Sequence, residues 1–192
     1  MKKDPPGKIK IKNSLRYLLE EKDFDSITTA EIASNAGVTE GLIYKYFKDK
    51  QGLLYELVAE MFSEVLTFIK GRIEDDSDPD KKLEAFIFSS IDTYAKKRVF
   101  AKIILIEVRS MPSFFQSKPY GHVKEYSRYL LNIIEDGMNK NFFRNDMNPK
   151  TLRDMILGSI EHTCLWGLIF SRKIDCIRVS SEILSILTKG IR

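Results

Sequence analysis

The sequence predicts an all-α fold of about nine helices. Three observations support this. Strand signals are scarce, helical periodicity is nearly continuous, and the breaks that interrupt it carry helix start and stop residues. The chain has 192 residues, of which 43% are hydrophobic and 30% charged. That is enough for one good core, or for a small module on a larger domain. There is no internal repeat and no low-complexity tract.

The first helix is expected at about 8–22, with Ile9, Ile11, Leu15, Leu18 and Leu19 on one side. Phe24 and Ile27 then sit in a connecting turn. Two short helices follow at 28–36 and 40–47, separated by Gly37, Val38 and Thr39. A long helix at about 50–72 carries Leu53, Leu54, Leu57, Val58, Met61, Phe62, Val65, Leu66 and Ile69. The run Asp75-Asp76-Ser77-Asp78-Pro79 is the clearest break, and Asp78 and Pro79 suit the N-cap and first turn of the next helix. That helix runs to about 96, and another covers about 98–110 before Met111-Pro112 ends it. Residues 113–121 read as loop or a frayed helix start. A helix at about 122–141 carries Tyr126, Tyr129, Leu130, Ile133, Ile134 and Met138. Asn148-Pro149 starts one at about 149–171, and a last helix fills about 176–190. The chain is expected to divide into a domain at 1–50 and a second at 51–192.

Charge says little in total and more in distribution. The net charge is +4. Lys2, Lys3, Lys8, Lys10, Lys12 and Arg16 face only Asp4 in the first sixteen residues. Such an arm is a solvated tail or a phosphate contact. Cys164 and Cys176 sit in apolar settings without metal-ligand spacing, so both are expected as reduced thiols and no metal is expected. No apolar run reaches the ~18 residues of a membrane span, and the Lys/Pro-rich start lacks a signal-peptide core, so a cytoplasmic location is expected.

Residues 28–47 carry the strongest motif, with the spacing of a helix-turn-helix. Thr28 suits an N-cap, and Glu31 three residues later completes a capping box. Ile32, Ala36, Val38 and Ile43 lock the two short helices together, and Ala33 lets them cross closely. Gly37 lies where the turn needs a left-handed residue, and Thr39 then caps the second helix. The competing reading is an ordinary helical hairpin in an all-α core.

The second helix of such a motif enters the DNA major groove N-terminal end first. Gly41 at that end lets backbone approach bases or phosphates. Glu40 is able to accept from cytosine N4, and Thr39 to reach a phosphate or a thymine methyl. Tyr44 can donate its hydroxyl to a phosphate, and Lys45 faces the DNA backbone. Lys50 begins the next helix, whose N-terminal amides also suit phosphate. Thr28 and Thr29 can clamp another phosphate. Phe47 reads as core, and Tyr46 as either core or phosphate contact.

These residues, from Thr28 through Ile32, Ala33, Ala36, Gly37, Val38, Thr39, Gly41, Ile43, Tyr44, Lys45, Tyr46 and Phe47 to Lys50 and Leu53, resemble the DNA-binding signature of the TetR family of bacterial repressors. The resemblance covers residues 8–55 well. It implies a homodimer, three N-terminal DNA-binding helices and a helical C-terminal domain that binds an inducer. It places DNA contact at Thr28, Thr39, Gly41, Tyr44, Tyr46 and Lys50. Gly52 departs from it, since the family more often has a larger polar residue there. A glycine at that point suggests a hinge about which the long fourth helix swings to carry the inducer signal.

The C-terminal two thirds is rich in aromatic and aliphatic side chains at helical spacing. Most such stripes are plain core, yet they can also line an elongated apolar cavity between helices. The segments 104–109, 132–138 and 157–166 are similar in order to the fatty-acid-degradation repressors within the TetR family, which respond to long-chain acyl-CoA. On that resemblance the ligand set is Phe62, Leu66, Phe86, Tyr94, Leu105, Arg109, Tyr126, Tyr129, Ile133 and Trp166. Arg109 would meet an anionic group, or instead pair with Glu107 or a neighbouring helix. The last two helices suit a dimer seam of Ile156, Ile160, Thr163, Trp166, Ile183 and Leu187, built as a four-helix bundle on a two-fold axis.

An enzyme is not expected. The two histidines are His122 and His162, and Glu161 and His162 point about 100° apart on a helix. No nucleophile elbow, phosphate loop or ligand set for a metal appears, and no cofactor is implied. The expected function is a DNA-binding regulator, most simply a repressor on a palindromic double-stranded operator, released by a hydrophobic small molecule such as an acyl-CoA or another lipid. The rivals are a helical interaction module, a non-specific DNA binder, and a multidrug-sensing repressor of the same family.

Overall fold

The computed structural model describes residues 4–73 and 78–191. Its helices are α1 (Pro6–Glu21), α2 (Thr29–Ala36), α3 (Glu40–Phe47), α4 (Lys50–Lys70), α5 (Pro79–Lys96), α6 (Arg98–Lys102), α7 (Tyr120–Asn139), α8 (Pro149–Ile169) and α9 (Cys176–Ile191). No strand occurs among the described residues. No described helix is long and apolar enough to cross a membrane. The expected break at 75–77 lies outside the described residues.

Local chemistry explains most boundaries. Helix α1 begins at Pro6, two residues before the start expected from its apolar spacing, because proline's fixed φ suits a first helical turn. Thr28 caps α2 by accepting the Glu31 N–H at 3.1 Å. Gly37 closes α2 with φ 63°, while the amides of Gly37 and Val38 return to the carbonyls of Ser34 and Ala33. Asp49 caps α4 by accepting the Gly52 N–H at 2.6 Å. Asn148 caps α8 by accepting the Lys150 N–H at 2.9 Å. Thr39 and Asp78 stand at N-cap positions without making the side-chain bond expected of them.

The helix expected over 98–110 is not uniform. Five α-helical residues lead into a wider π turn, Ile103–Glu107, and then a tight 3₁₀ turn, Val108–Ser110. Wider turns of this kind are uncommon and recur at functional sites. A further 3₁₀ turn covers Pro112–Gln116.

Two clusters merge along α4. Ile11, Leu15, Leu19, Ile32, Ile43 and Phe47 join the α1–α3 trio, and Leu53, Leu54 and Leu57 extend it onto α4. Beyond Met61 the same helix enters a larger core with α5 at its centre, packed against α7, α8 and α9. Fully burying side chains such as Phe62, Phe86 and Phe100 contributes about 1.5–3 kcal/mol each.

Candidate nucleic-acid interface and effector interior

Helix α3 divides by direction. Ile43 and Phe47 face inward, while Thr39, Gly41, Tyr44 and Lys45 are exposed. A Cβ built on Gly41 would meet nothing within 4 Å. No contact inside the chain therefore requires a glycine there. Tyr46 is half-buried with its ring edge-on to Phe47, and it lies beside Gly7 of α1.

Thr29, Glu40 and Tyr44 form a small network across α2 and α3. The Thr29 hydroxyl donates to the Glu40 carboxylate, and the Tyr44 hydroxyl lies 3.4 Å from both partners. This holds the Tyr44 ring against the N-terminal turn of α3. Thr28 is exposed beside it, its hydroxyl engaged as the α2 cap.

Several lysines expected to meet phosphate are engaged within the chain. Lys50 Nζ donates to the carbonyls of Ile27 at 2.7 Å and Phe24 at 2.9 Å, and lies over the Phe24 ring. Its ammonium ties α4 to the α1–α2 connection rather than standing open for phosphate. Lys8 pairs with Glu56, and Lys12 with both Asp4 and Glu60. These pairs draw Lys8 and Lys12 of the supposed basic arm onto α4 and lower the Asp4 carboxyl; burial opposes the two ammonium charges, and the carboxylates outweigh it and raise both. Lys48, absent from the candidates above, is exposed at the end of α3 with φ 70° and makes no ion pair among the described residues. Its signal was its place between Lys45 and Lys50.

Gly52 sits at a close backbone approach rather than in open space. A Cβ there would lie 2.1 Å from the Phe47 carbonyl oxygen, so the glycine permits α4 to start tightly against the end of α3. Ser113, in the turn before α7, binds Gln51 at 3.0 Å and the Tyr55 hydroxyl at 2.9 Å. The first two turns of α4 are thus tied to the turn before α7.

Of the ligand candidates, Phe62, Phe86, Tyr94 and Tyr126 form one aromatic interior with half-buried Tyr129. Phe86 stacks on Tyr126 at 5.0 Å, and Phe62 meets Phe100 edge-on at 5.0 Å. Tyr126 donates to Ser90 Oγ at 2.9 Å, and burial pushes the Tyr126 and Tyr94 hydroxyls up. A void of about 10 Å³ remains between Phe62, Val65, Ile69, Ser90, Tyr94 and Phe100. Leu66, Leu105 and Ile133 are buried in the same core.

Arg109 and Trp166 lie outside it. The Arg109 guanidinium is half-exposed, pairs with Glu161 of α8 and donates to the Ile104 carbonyl at 3.3 Å. The neighbouring-helix ion pair is therefore the one realised. Trp166 is 46% exposed, stacks on Phe170 at 5.1 Å and donates to His162 at 2.6 Å.

The expected seam is also redistributed. Ile156 and Ile160 are fully buried in the chain's own core, because α8 turns them toward α5 and α7. Thr163, Ile183 and Leu187 are half-buried. The exposed large apolar side chains of this region are Met155, Trp166 and Ile169 on α8, Phe170 just past its end, and Ile177 and Ile186 on α9. Both cysteines are unpaired, and burial lifts the Cys164 thiol up to about 12. Among the described residues no group of three His, Cys, Asp or Glu could hold a metal ion.

Residues 14–57 match the family "bacterial regulatory proteins, tetR family", and residues 58–190 match the "YsiA-like protein, C-terminal region". The chain is 25% identical over 191 residues to the fatty acid metabolism regulator protein of Bacillus subtilis, covering 100% of this chain and 98% of that one. It superposes on FadR from Bacillus subtilis, solved in complex with stearoyl-CoA, with TM-score 0.86 and 25% identity, covering 96% and 99% of the two chains. The fold also matches fatty acid degradation regulator FadR from Bacillus halodurans with TM-score 0.85 at 21% identity, covering 97% of each chain. Members of such families are regulators of transcription rather than enzymes. The chain belongs to the TetR family of bacterial transcriptional regulators.

Proposed function

We propose that this regulator is a repressor that binds an inverted-repeat operator as a homodimer in the cytoplasm and leaves it on taking up a long-chain acyl-CoA. In this reading 1–50 holds the DNA and 51–192 holds the ligand and the partner subunit. One observation carries the DNA half: the outer face of α3 presents Thr39, Gly41, Tyr44 and Lys45 while its inner face is sealed by Ile43 and Phe47. Thr39 and Gly41 meet bases at the N-terminal end, and Tyr44, Lys45 and Lys48 meet phosphates.

The outward apolar set on α8 and α9 supports the dimer. Ile177 and Ile186 are each 74% exposed, an unusual placement for isoleucine outside an interface. Two such faces related by a two-fold axis present both α3 helices to one side of a duplex.

Acyl-CoA is supported by the stearoyl-CoA of the Bacillus subtilis relative and by the aromatic interior here. The void of about 10 Å³ is far smaller than an acyl chain, so uptake must spread the helices around Phe62, Tyr94 and Phe100. Helix α6 connects that spreading to the DNA. Lys102 donates to the Lys22 carbonyl at 2.8 Å and pairs with Asp23 at 2.8 Å, and the Glu107 carboxylate accepts the Phe24 N–H at 3.2 Å. Moving α6 pulls on the connection between α1 and α2.

A gel-shift titration against DNA upstream of the chain's own gene, at several salt concentrations, tests the DNA half. Binding at least about 1,000-fold tighter than to scrambled DNA is expected. Equal affinity for both would overturn operator recognition and leave non-specific binding.

A further inference from the structure

We infer that the open groove between α1 and α6 is an anion site, holding the phosphate-bearing head of an amphipathic ligand between Arg16 and Arg98 while its chain enters past Phe100. The inference rests on the acyl-CoA reading above and adds where the ligand sits and which unit grips it.

The groove encloses about 680 Å³ and is bounded by α1, α4, α6 and the end of α8. Its charge is lopsided. Arg16, Lys96, Lys97, Arg98 and Lys102 line it against the carboxylates of Glu20 and Glu64. Three of these cations already have partners: Lys96 pairs with Asp92, Lys97 with Glu64, and Lys102 with Asp23. The two arginines pair with no carboxylate among the described residues. Arg98 donates only to the Leu168 carbonyl, at 3.3 Å. Arg16 makes no ion pair or hydrogen bond among the described residues, and its Nε is buried without an acceptor. A buried donor left unpaired is rare in a folded protein, and a guanidinium fork matches phosphate oxygens in particular.

The groove also has an apolar floor that leads inward. Phe100 is the one side chain among the described residues that borders both the groove and the small void of the aromatic interior. Its ring lies 5.0 Å from Phe62 and 5.7 Å from Tyr94. A rotation of that ring joins polar groove to apolar core, the order of surfaces a phosphate-headed acyl chain requires. Arg16 belongs to α1 and Arg98 to α6. A head gripped by both links the DNA-binding unit directly to the helix that holds Lys22 and Asp23.

The test is calorimetric titration of palmitoyl-CoA, coenzyme A and palmitate into the full-length, DNA-free protein, with melting curves on every variant. Arg16→Gln is expected to weaken palmitoyl-CoA about tenfold or more and to leave palmitate within about twofold. Arg98→Gln, on α6, gives the same pattern and serves if the first variant fails to fold. Phe100→Leu is expected to speed palmitoyl-CoA association in stopped flow while leaving coenzyme A binding as in wild type. If wild type takes up palmitoyl-CoA and both arginine variants bind it within twofold of wild type, the head site is overturned while the acyl-CoA reading stands. An unchanged association rate in Phe100→Leu overturns the entry route. A wild type that takes up no acyl-CoA overturns the underlying reading as well.

Discussion

The Glu107 carboxylate accepts the Phe24 backbone N–H at 3.2 Å, across 83 residues of sequence. It is a buried acid at the end of the π turn, holding the segment that precedes the helix-turn-helix. Burial pushes its carboxyl up, while the Phe24 amide and Lys102 pull it down by less. The folded protein therefore keeps this proton to higher pH than the unfolded chain does. Its contribution to stability is whole below the ordinary carboxyl pKa and declines as pH rises from there through the raised folded-state value. Glu107→Gln keeps an acceptor and removes the charge, so its melting temperature relative to wild type should increase from pH 5 to pH 8. Glu107→Ala orphans the Phe24 amide and should cost about 1–3 kcal/mol at neutral pH. A wild-type-to-Gln difference that stays flat with pH would contradict the buried charge.

Gly52 separates two accounts of the signal route. With the Phe47 oxygen 2.1 Å from any added Cβ, Gly52→Ala must displace the α3–α4 junction. Expected losses are about 1–3 kcal/mol of stability, the usual range for overpacking, together with weaker operator binding in the absence of ligand. The ligand's fold-effect on DNA affinity should hardly change. Intact unliganded affinity with an altered ligand response, read by fluorescence anisotropy, would restore the hinge.

Gly41 should show the opposite signs. Its surroundings are open, so Gly41→Ala gains helix propensity of about 1 kcal/mol and the protein should melt higher. The added methyl stands on the face proposed for DNA, so operator affinity should fall. A variant that is both more stable and equally good at binding DNA would remove Gly41 from the interface.

Lys45 and Lys48 are assigned to phosphate. Lys45→Ala should weaken operator and scrambled DNA alike. It should also reduce the steepness of the log affinity–log salt plot by about 0.9, the share of a single phosphate. A change of sequence preference at constant salt slope would move Lys45 to base readout.

Placing charge on the outward apolar face tests the dimer. Ile177→Glu and Ile186→Glu should yield a folded monomer by light scattering, since neither side chain supports the chain's own core. Retention of a dimer by both variants would place the seam elsewhere.

The helix-turn-helix was legible because its determinants are local. The Thr28 cap, the Gly37 left-handed turn and the inward Ile32, Ile43 and Phe47 lie within twenty residues of one another. Charged side chains were less legible, because partners distant in sequence decide what they do. Lys8 and Lys12 find glutamates on α4, Lys50 finds two carbonyls, and Arg109 finds Glu161 on α8. The π turn was hidden inside unbroken helical periodicity, so neither Glu107 nor Phe100 stood out. Ile156 and Ile160 were read as seam for a similar reason. An apolar stripe on α8 does not say which neighbour it faces, and here it faces α5 and α7.

In the proposed function, DNA and acyl-CoA compete for different shapes of one molecule. Linkage makes this a single measurement: palmitoyl-CoA affinity with and without saturating operator, alongside operator affinity with and without saturating palmitoyl-CoA. Both should fall by the same factor, about 5–150-fold, as reciprocity between coupled sites requires. Operator affinity unchanged by saturating palmitoyl-CoA would mean that the two ligands do not compete.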